Sequence, residues 1–111
     1  MDGCLFCKII SGEIPSNKVY EDERVFAFRD IDPKAPVHVL IVPKKHATSI
    51  LDADAESIQA LFAAAKKIAH ALGVEESGFR LVVNTGRDAG QSVAHLHIHL
   101  LGARELAWPP G

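Results

Sequence analysis

Three histidines alternate with apolar residues near the C-terminus, and this alternation constrains the fold more than any other feature. In His95–Leu101 the apolar residues Leu96, Ile98 and Leu100 separate and follow the imidazoles. Successive side chains of a strand point to opposite faces, so the pattern predicts a strand over residues 93–101 with all three imidazoles on one face. Adjacent imidazoles would then lie ~7 Å apart. The leucine and isoleucine side chains should enter a core on the other face.

The residues alone leave three interpretations of this strand open. The histidines could occupy a solvated sheet face without any function. They could bind a metal, although collinear side chains at ~7 Å spacing converge poorly on one ion. They could also act in catalysis, because imidazole titrates near neutral pH and its unprotonated nitrogen can attack phosphorus.

The remaining periodicities predict an α+β fold. Apolar residues recur at three- and four-residue steps from Ile58 to Leu72, which predicts one long helix with Asp52 or Asp54 as its N-cap and Gly73 at its C-terminal end. A short helix or turn is expected near the N-terminus, over Cys4–Ile10. The other predicted strands are Lys18–Tyr20, Arg24–Arg29, Val37–Val42 and Phe79–Asn84. The order β-β-β-α-β-β with short connections implies a five-stranded antiparallel sheet with the long helix on one face.

Length, charge and cysteine content limit the class of protein. A chain of 111 residues can bury one core, so we expect a single domain over residues 1–111. The net charge of −2 argues against a basic nucleic-acid binder, and no block of Lys or Arg suggests membrane contact. The N-terminus does not resemble a secretory signal, and two cysteines are too few for a disulfide framework. We therefore expect a cytoplasmic protein with no nucleic-acid or membrane partner.

Cys4 and Cys7 form a Cys-x-x-Cys pair. Such a pair is half of many structural zinc sites, but no second pair and no local His-x-x-x-His follows it. A redox motif is the rival interpretation, although a thioredoxin-like pair stands between a strand and a long helix. Two free buried thiols are the third possibility.

Several motifs resemble one known family. The stretch Asn84–Leu101 resembles the signature of the histidine triad family, in which three histidines alternate with apolar residues. The C-terminal Trp108–Gly111 resembles the Hint-type branch of nucleotide-binding phosphoramidases. The upstream segments Phe28–Pro33, Ala35–His38 and Ile41–His46 are similar to that branch too. The resemblance extends over nearly the whole chain and implies a histidine triad fold.

The resemblance implies a hydrolase that cleaves purine nucleoside 5′-phosphoramidates to the nucleoside monophosphate. His97 would attack the α-phosphorus and form a nucleotidyl-histidine intermediate, which water then hydrolyses. His99 and Ser92 match positions that hydrogen-bond the phosphate oxygens, and His38 matches a residue of the network around the nucleophile. One alternative is a dinucleoside polyphosphate hydrolase, against which the Trp-Pro-Pro-Gly end argues. The other is a nucleotide-binding scaffold with an idle triad.

Further nucleotide contacts follow from the same resemblance. Asp30 would accept hydrogen bonds from the ribose, and Asn84 would contact the sugar–phosphate side. Gly90 and Gln91, next to Ser92, belong to a glycine-containing loop that can approach the phosphate. An apolar slot would hold the base and so discriminate between purines only loosely. The predicted lining of that slot is Phe6, Ile9, Phe28, Ile31 and Leu40. Core packing is the alternative for the apolar residues, and an ordinary surface acid is the alternative for Asp30.

Zinc and a second subunit are implied as well. Zinc-binding members of the family use two N-terminal cysteines, a histidine after a Pro-Lys-Lys segment and the first triad histidine, which here are Cys4, Cys7, His46 and His95. We expect one structural zinc per chain, with no open coordination position and no catalytic metal. Members of the branch also form homodimers whose C-termini reach across, which would place Trp108 near the other subunit's active site. An uncovered sheet edge and a lone Trp in a proline-stiffened tail agree with a homodimer.

Overall fold

The architecture is α+β, as the sequence predicts. A computed structural model describes residues 3–111. The two helices in this range are α1 (Leu5–Ile10) and α2 (Ala55–Ala71). The strands are β1 (Lys18–Glu21), β2 (Val25–Arg29), β3 (Val37–Pro43), β4 (Phe79–Val82) and β5 (Ile98–Gly102). Neither helix of residues 3–111 is long and apolar enough to span a lipid bilayer.

All five strands pair antiparallel in the order β1-β2-β3-β5-β4. The central pair, β3 and β5, lies in a register that sets Leu40 opposite His99 and His38 opposite Leu101. His38 and His99 therefore occupy a diagonal on neighbouring strands, a separation that side chains of their length can bridge. This register brings together two histidines that are 61 residues apart in the chain.

Side-chain alternation gives the sheet two different apolar faces. Ile98 and Leu100 of β5 join the larger buried cluster beneath α2, to which the helix contributes Leu61. His99 stands between them and therefore points to the opposite face. That second face carries the smaller buried cluster, to which α1 contributes Phe6. The candidate site thus lies on the α1 side of the sheet, away from the main core.

Helix α2 begins and ends where capping residues predict. The carboxylate of Asp54 accepts a hydrogen bond from the backbone N–H of Ser57 at 2.7 Å, so Asp54 is the N-cap. The other candidate, Asp52, accepts instead from backbone N–H groups of the preceding turn. Gly73 follows the helix with φ of +73°, the left-handed conformation that glycine adopts at little cost.

The histidine strand is shorter than predicted. Strand β5 begins at Ile98, so the prediction of a strand over 93–97 is wrong. The partner strand β3 ends at Pro43, which has no N–H to extend the ladder, and the carbonyl of Pro43 accepts from the ring of His95 instead. The backbone N–H of Leu96 donates to the carbonyl of Ala47 at 2.7 Å. One side-chain and one backbone hydrogen bond thus hold this segment without a regular ladder, while Leu96 still packs in the larger core cluster like Ile98 and Leu100.

Candidate active site

The backbone holds His97 in a single tautomer. Its Nδ1 lies 2.8 Å from the carbonyl oxygen of His95, and a carbonyl can only accept, so Nδ1 carries the proton. In neutral His97 the other nitrogen, Nε2, therefore keeps its lone pair. The ring is buried and packs edge-on against Phe6, with 5.1 Å between ring centroids. The backbone carbonyl of His95 therefore fixes the orientation of the His97 ring and leaves Nε2 as its basic nitrogen.

A second tautomer is set by a relay from the loop before β3. The backbone N–H of Lys34 donates to Nδ1 of His38 at 3.0 Å, which leaves the His38 proton on Nε2. This Nε2–H donates to Nδ1 of His99 at 2.9 Å. The proton of neutral His99 is therefore on Nε2. The ring centroids of His97 and His99 lie 5.0 Å apart, so the ring with the free Nε2 lone pair neighbours the ring with the Nε2–H donor.

Burial favours the neutral forms of His38 and His99. Burial lowers the pKa of His38, and the carboxylate of Asp30, 3.4 Å from its Nε2, opposes that shift. Burial, followed by the neighbouring rings of His97 and His38, lowers the pKa of His99 to about 4. Neutral rings at pH 7 are what the hydrogen-bond relay requires, since a protonated His99 would set two N–H groups against each other.

A cleft of about 290 Å³ opens beside His99. Two carboxylates and an amide line it together with the imidazoles, so it offers both donors and acceptors to a polar ligand. Its lining residues are Asp30, Asp32, Lys34, His38, Val82, Asn84, His99 and Leu101. The cleft therefore joins Asp30, Asn84, His38 and His99, four of the residues singled out from the sequence.

The four predicted metal ligands converge on one point. Cys4 Sγ lies 3.2 Å from His95 Nδ1, Cys7 Sγ lies 3.4 Å from His46 Nδ1, and the two Nδ1 atoms are 3.1 Å apart. All four donor atoms lie within 4.8 Å of one another. Tetrahedral ligands bound to zinc at ~2.0–2.3 Å are themselves ~3.3–3.8 Å apart, so this set fits a closed four-coordinate ion.

The protonation of His95 suits metal binding. Its Nε2 lies 2.9 Å from the carbonyl oxygen of Pro43, which requires the proton to be on Nε2 and leaves Nδ1 as the ligand atom. The His95 side chain is fully buried, and burial lowers its pKa, which favours the neutral form that a metal needs. His95 also supplies the carbonyl that orients His97. His95 therefore connects the four candidate metal ligands to the candidate nucleophile His97.

The glycine-containing loop lies between β4 and the histidines. Gly86 and Gly90 have φ values of +80° and +76°, the left-handed region in which glycine is favoured. Ser92 is exposed at the end of this loop. The side-chain amide of Gln91 is hydrogen-bonded to three backbone groups of the protein.

The predicted base slot divides into two groups. Four residues, namely Phe6, Ile9, Phe28 and Leu40, are buried together in the smaller apolar cluster. Ile31 is fully exposed in the loop after β2. The structure thus places the four as packed side chains and Ile31 at the surface, and their contact with a base stays a prediction.

Trp108 belongs neither to the smaller apolar cluster nor to the candidate metal ligands. It is 80% exposed, and the guanidinium carbon of Arg80 lies 6.0 Å from its ring centroid, within the range of a cation–π contact. Arg80 belongs to the edge strand β4. The tail therefore lies near an uncovered sheet edge and leaves most of a large apolar ring in solvent.

Comparison with known proteins identifies the family. The model of the HIT domain matches residues 11–106, and the chain belongs to the HIT domain family. It is 52% identical over 110 residues to an uncharacterized HIT-like protein of Synechococcus elongatus, with 96% of both chains covered. It is 48% identical to a 14 kDa zinc-binding protein of Brassica juncea, covering 96% of this chain and 98% of that one. A solved HIT family hydrolase from Legionella pneumophila superimposes with a TM-score of 0.95 at 51% identity, covering 98% and 100% of the two chains.

Sequence reasoning missed the backbone members of the site. The N–H of Lys34 and the carbonyls of Pro43 and His95 each select a histidine tautomer. Every residue except proline carries both groups, so no side-chain pattern could single these out. Gln91 is different, because its identity marks it in the sequence but only the fold shows what its amide contacts.

Proposed function

We propose that this chain hydrolyses purine nucleoside 5′-phosphoramidates to the nucleoside monophosphate and an amine. Nε2 of His97 attacks the α-phosphorus, the P–N bond to the amine breaks, and the amine leaves after it takes a proton from solvent. Water then attacks the phosphorus of the nucleotidyl-histidine and gives a proton to solvent, the bond to Nε2 breaks, and the free imidazole is restored. The relative from Legionella pneumophila that is named a HIT family hydrolase supports the broader assignment to hydrolysis.

The hydrogen bond from His97 Nδ1–H to the carbonyl of His95 carries this proposal. It leaves a nucleophilic lone pair on Nε2 without requiring an acid or base to create it. His99 would donate its Nε2–H to a phosphate oxygen, with Ser92 as a second donor. Asp30 in the cleft would accept from the ribose, and Asn84 would contact the sugar–phosphate side. Hydrogen bonds from fixed donors to an oxygen that gains charge lower the barrier to attack.

A structural zinc, one per chain, belongs to the proposal. Cys4, Cys7, His46 and His95 would hold it in a closed tetrahedral site, where the metal constrains the fold and takes no part in bond breaking. Relatives from Brassica juncea and Zea mays that are named 14 kDa zinc-binding proteins support this choice of metal. The convergence of the four donor atoms supports it independently.

We also infer a homodimer that works in the cytoplasm. The exposed Trp108 ring beside β4 would pack against the second subunit and reach the leaving-group side of its site. Light scattering at micromolar concentration should give twice the mass of the chain. A monomer under these conditions would refute the dimer.

Hydrolysis of adenosine 5′-phosphoramidate by the wild type and by His97→Ala tests the enzymatic proposal. Loss of the nucleophile should reduce kcat by several orders of magnitude while AMP binding persists. His70→Ala is the matched control, because His70 is exposed on α2 and lies outside the site. More than a tenth of wild-type turnover in His97→Ala would exclude His97 as nucleophile.

The same assay separates the competing functions. Faster turnover of diadenosine polyphosphates than of the phosphoramidate would favour the dinucleoside polyphosphate hydrolase. Nucleotide binding without turnover of either substrate would favour the scaffold.

A further inference from the structure

The side chain of Gln91 is fully committed to the protein backbone. Its Oε1 accepts from the N–H of Gly86 at 3.1 Å. Its Nε2 donates to the carbonyl of Thr48 at 2.7 Å and to the carbonyl of Val93 at 3.0 Å. The two amide protons and the carbonyl oxygen are thus all used, in a half-buried side chain.

These three bonds join segments that are far apart in sequence. Gly86 opens the glycine-containing loop, and Val93 follows Ser92 beyond its end. Thr48 lies 43 residues earlier, two positions after the metal-ligand candidate His46. The Gln91 amide therefore links the two ends of the glycine-containing loop through Gly86 and Val93. It also links this loop to Thr48, near the candidate metal ligand His46.

The segment that receives this bond is itself braced. The carboxylate of Asp52 accepts from the backbone N–H groups of Thr48 and Ser49 at 3.0 and 2.9 Å. The carbonyl of Ala47 accepts from the N–H of Leu96 at 2.7 Å. Gln91 therefore attaches the exposed loop to a part of the chain whose backbone is already fixed.

We propose that Gln91 is a positioning residue whose side chain holds the phosphate-facing loop in place and makes no contact with the nucleotide. The inference rests on the proposed function in one respect, namely that this loop and Ser92 receive the phosphate. Ser92 is the next residue, so the anchor determines where its hydroxyl and the loop N–H groups lie. Errors of ~1 Å in such donors are enough to weaken binding and catalysis strongly.

Two substitutions separate the bonds. Gln91→Met has a similar length and removes all three hydrogen bonds. Gln91→Glu keeps an acceptor for Gly86 N–H but sets a carboxylate oxygen against the carbonyls of Thr48 and Val93. Gln59→Met is the matched control, because it is the same substitution at an exposed position of α2.

The measurements are KM and kcat for adenosine 5′-phosphoramidate, the Kd for AMP, and hydrogen exchange at the Gly86 amide. We expect Gln91→Met to raise KM and the Kd for AMP at least fivefold and to lower kcat by about tenfold, because the displaced donors serve both the bound phosphate and the oxygen that gains charge. The Gly86 amide should exchange at least tenfold faster in that variant. Gln91→Glu should raise KM further because of carbonyl repulsion, yet retain slower exchange at Gly86 than Gln91→Met. Gln59→Met should match the wild type.

Each contrary result overturns the inference. Unchanged exchange at Gly86 in Gln91→Met would show that the amide does not hold the loop. Faster exchange with unchanged KM and Kd would reduce Gln91 to a structural role. A fall in kcat of a hundredfold at constant Kd would indicate direct participation in the reaction. Failure of the proposed function gives a different result. If the wild type binds AMP without turnover, the Kd for AMP and hydrogen exchange at Gly86 still test whether Gln91 positions the loop. A wild type that binds no AMP would overturn both.

Discussion

Acid should destabilise the fold through His99, because the folded chain holds this imidazole neutral. Its pKa is lowered to about 4 by burial and then by the rings of His97 and His38. In the unfolded chain the same group has a pKa of about 6.5. Between these two values the unfolded state binds more protons than the folded state. The free energy of unfolding therefore falls as the pH falls from about 6.5 to about 4.

The size of this effect follows from the two pKa values. Linkage gives a loss of about 2 kcal/mol between pH 8 and pH 5 for this one group. The full loss, reached below pH 4, is about 3 kcal/mol, because each tenfold difference in proton affinity is worth about 1.4 kcal/mol. The pKa values of His38 and His95 are also lowered by burial, so they add loss of the same sign.

His99→Asn isolates the contribution of one ring. An Asn oxygen can replace Nδ1 as acceptor for His38 Nε2–H, and an amide does not titrate. Urea denaturation of both proteins from pH 8 to pH 5, with zinc in excess, gives the free energy of unfolding at each pH. The wild type should lose about 2 kcal/mol more than His99→Asn over this range. Parallel curves for the two proteins would refute the reasoning, as would an NMR titration of His99 with a midpoint near 6.5.

Two further predictions concern the metal cluster and the tail. Removal of zinc by a chelator should lower the melting temperature and reduce kcat for adenosine 5′-phosphoramidate. The reason is that His95 is a proposed zinc ligand and its carbonyl also accepts the Nδ1–H of His97. An unchanged melting curve after confirmed loss of metal would contradict this. Trp108→Ala should change the relative kcat/KM among amine leaving groups more than the rate on any one of them. Identical kcat/KM on every amine would refute a role at the leaving-group side.

The sequence predicted most of the helices and strands because each of them depends on a local pattern of residues. The apolar stripe of α2, its capping residues and the order of strands all follow from short-range periodicity. Asp54 shows the limit of such reasoning, since Asp52 offered an equally good cap and only the folded backbone distinguishes them. Strand ends were the weakest prediction, because they depend on where the partner strand ends.

The metal cluster shows what the residues alone could not decide. Cys4 and Cys7 left zinc, redox and free-thiol interpretations open, and resemblance supplied the two histidines. In the folded chain these ligand atoms come from α1 and its cap, from the segment after β3 and from the segment before β5. Convergence of residues up to 91 positions apart is a property of tertiary packing.

The sequence by itself determined that the imidazoles of residues 95–99 lie on one face of the sheet and that Leu96, Ile98 and Leu100 lie on the other. The alternation around His97 does this, since a two-residue period follows from backbone geometry alone. Only the tertiary structure decided the protonation of each ring. His97, His99 and His95 are alike as residues, yet the carbonyl of His95, the Nε2–H of His38 and the carbonyl of Pro43 assign them different tautomers. A hydrogen bond depends on where two groups meet in space, and the fold alone brings those groups together.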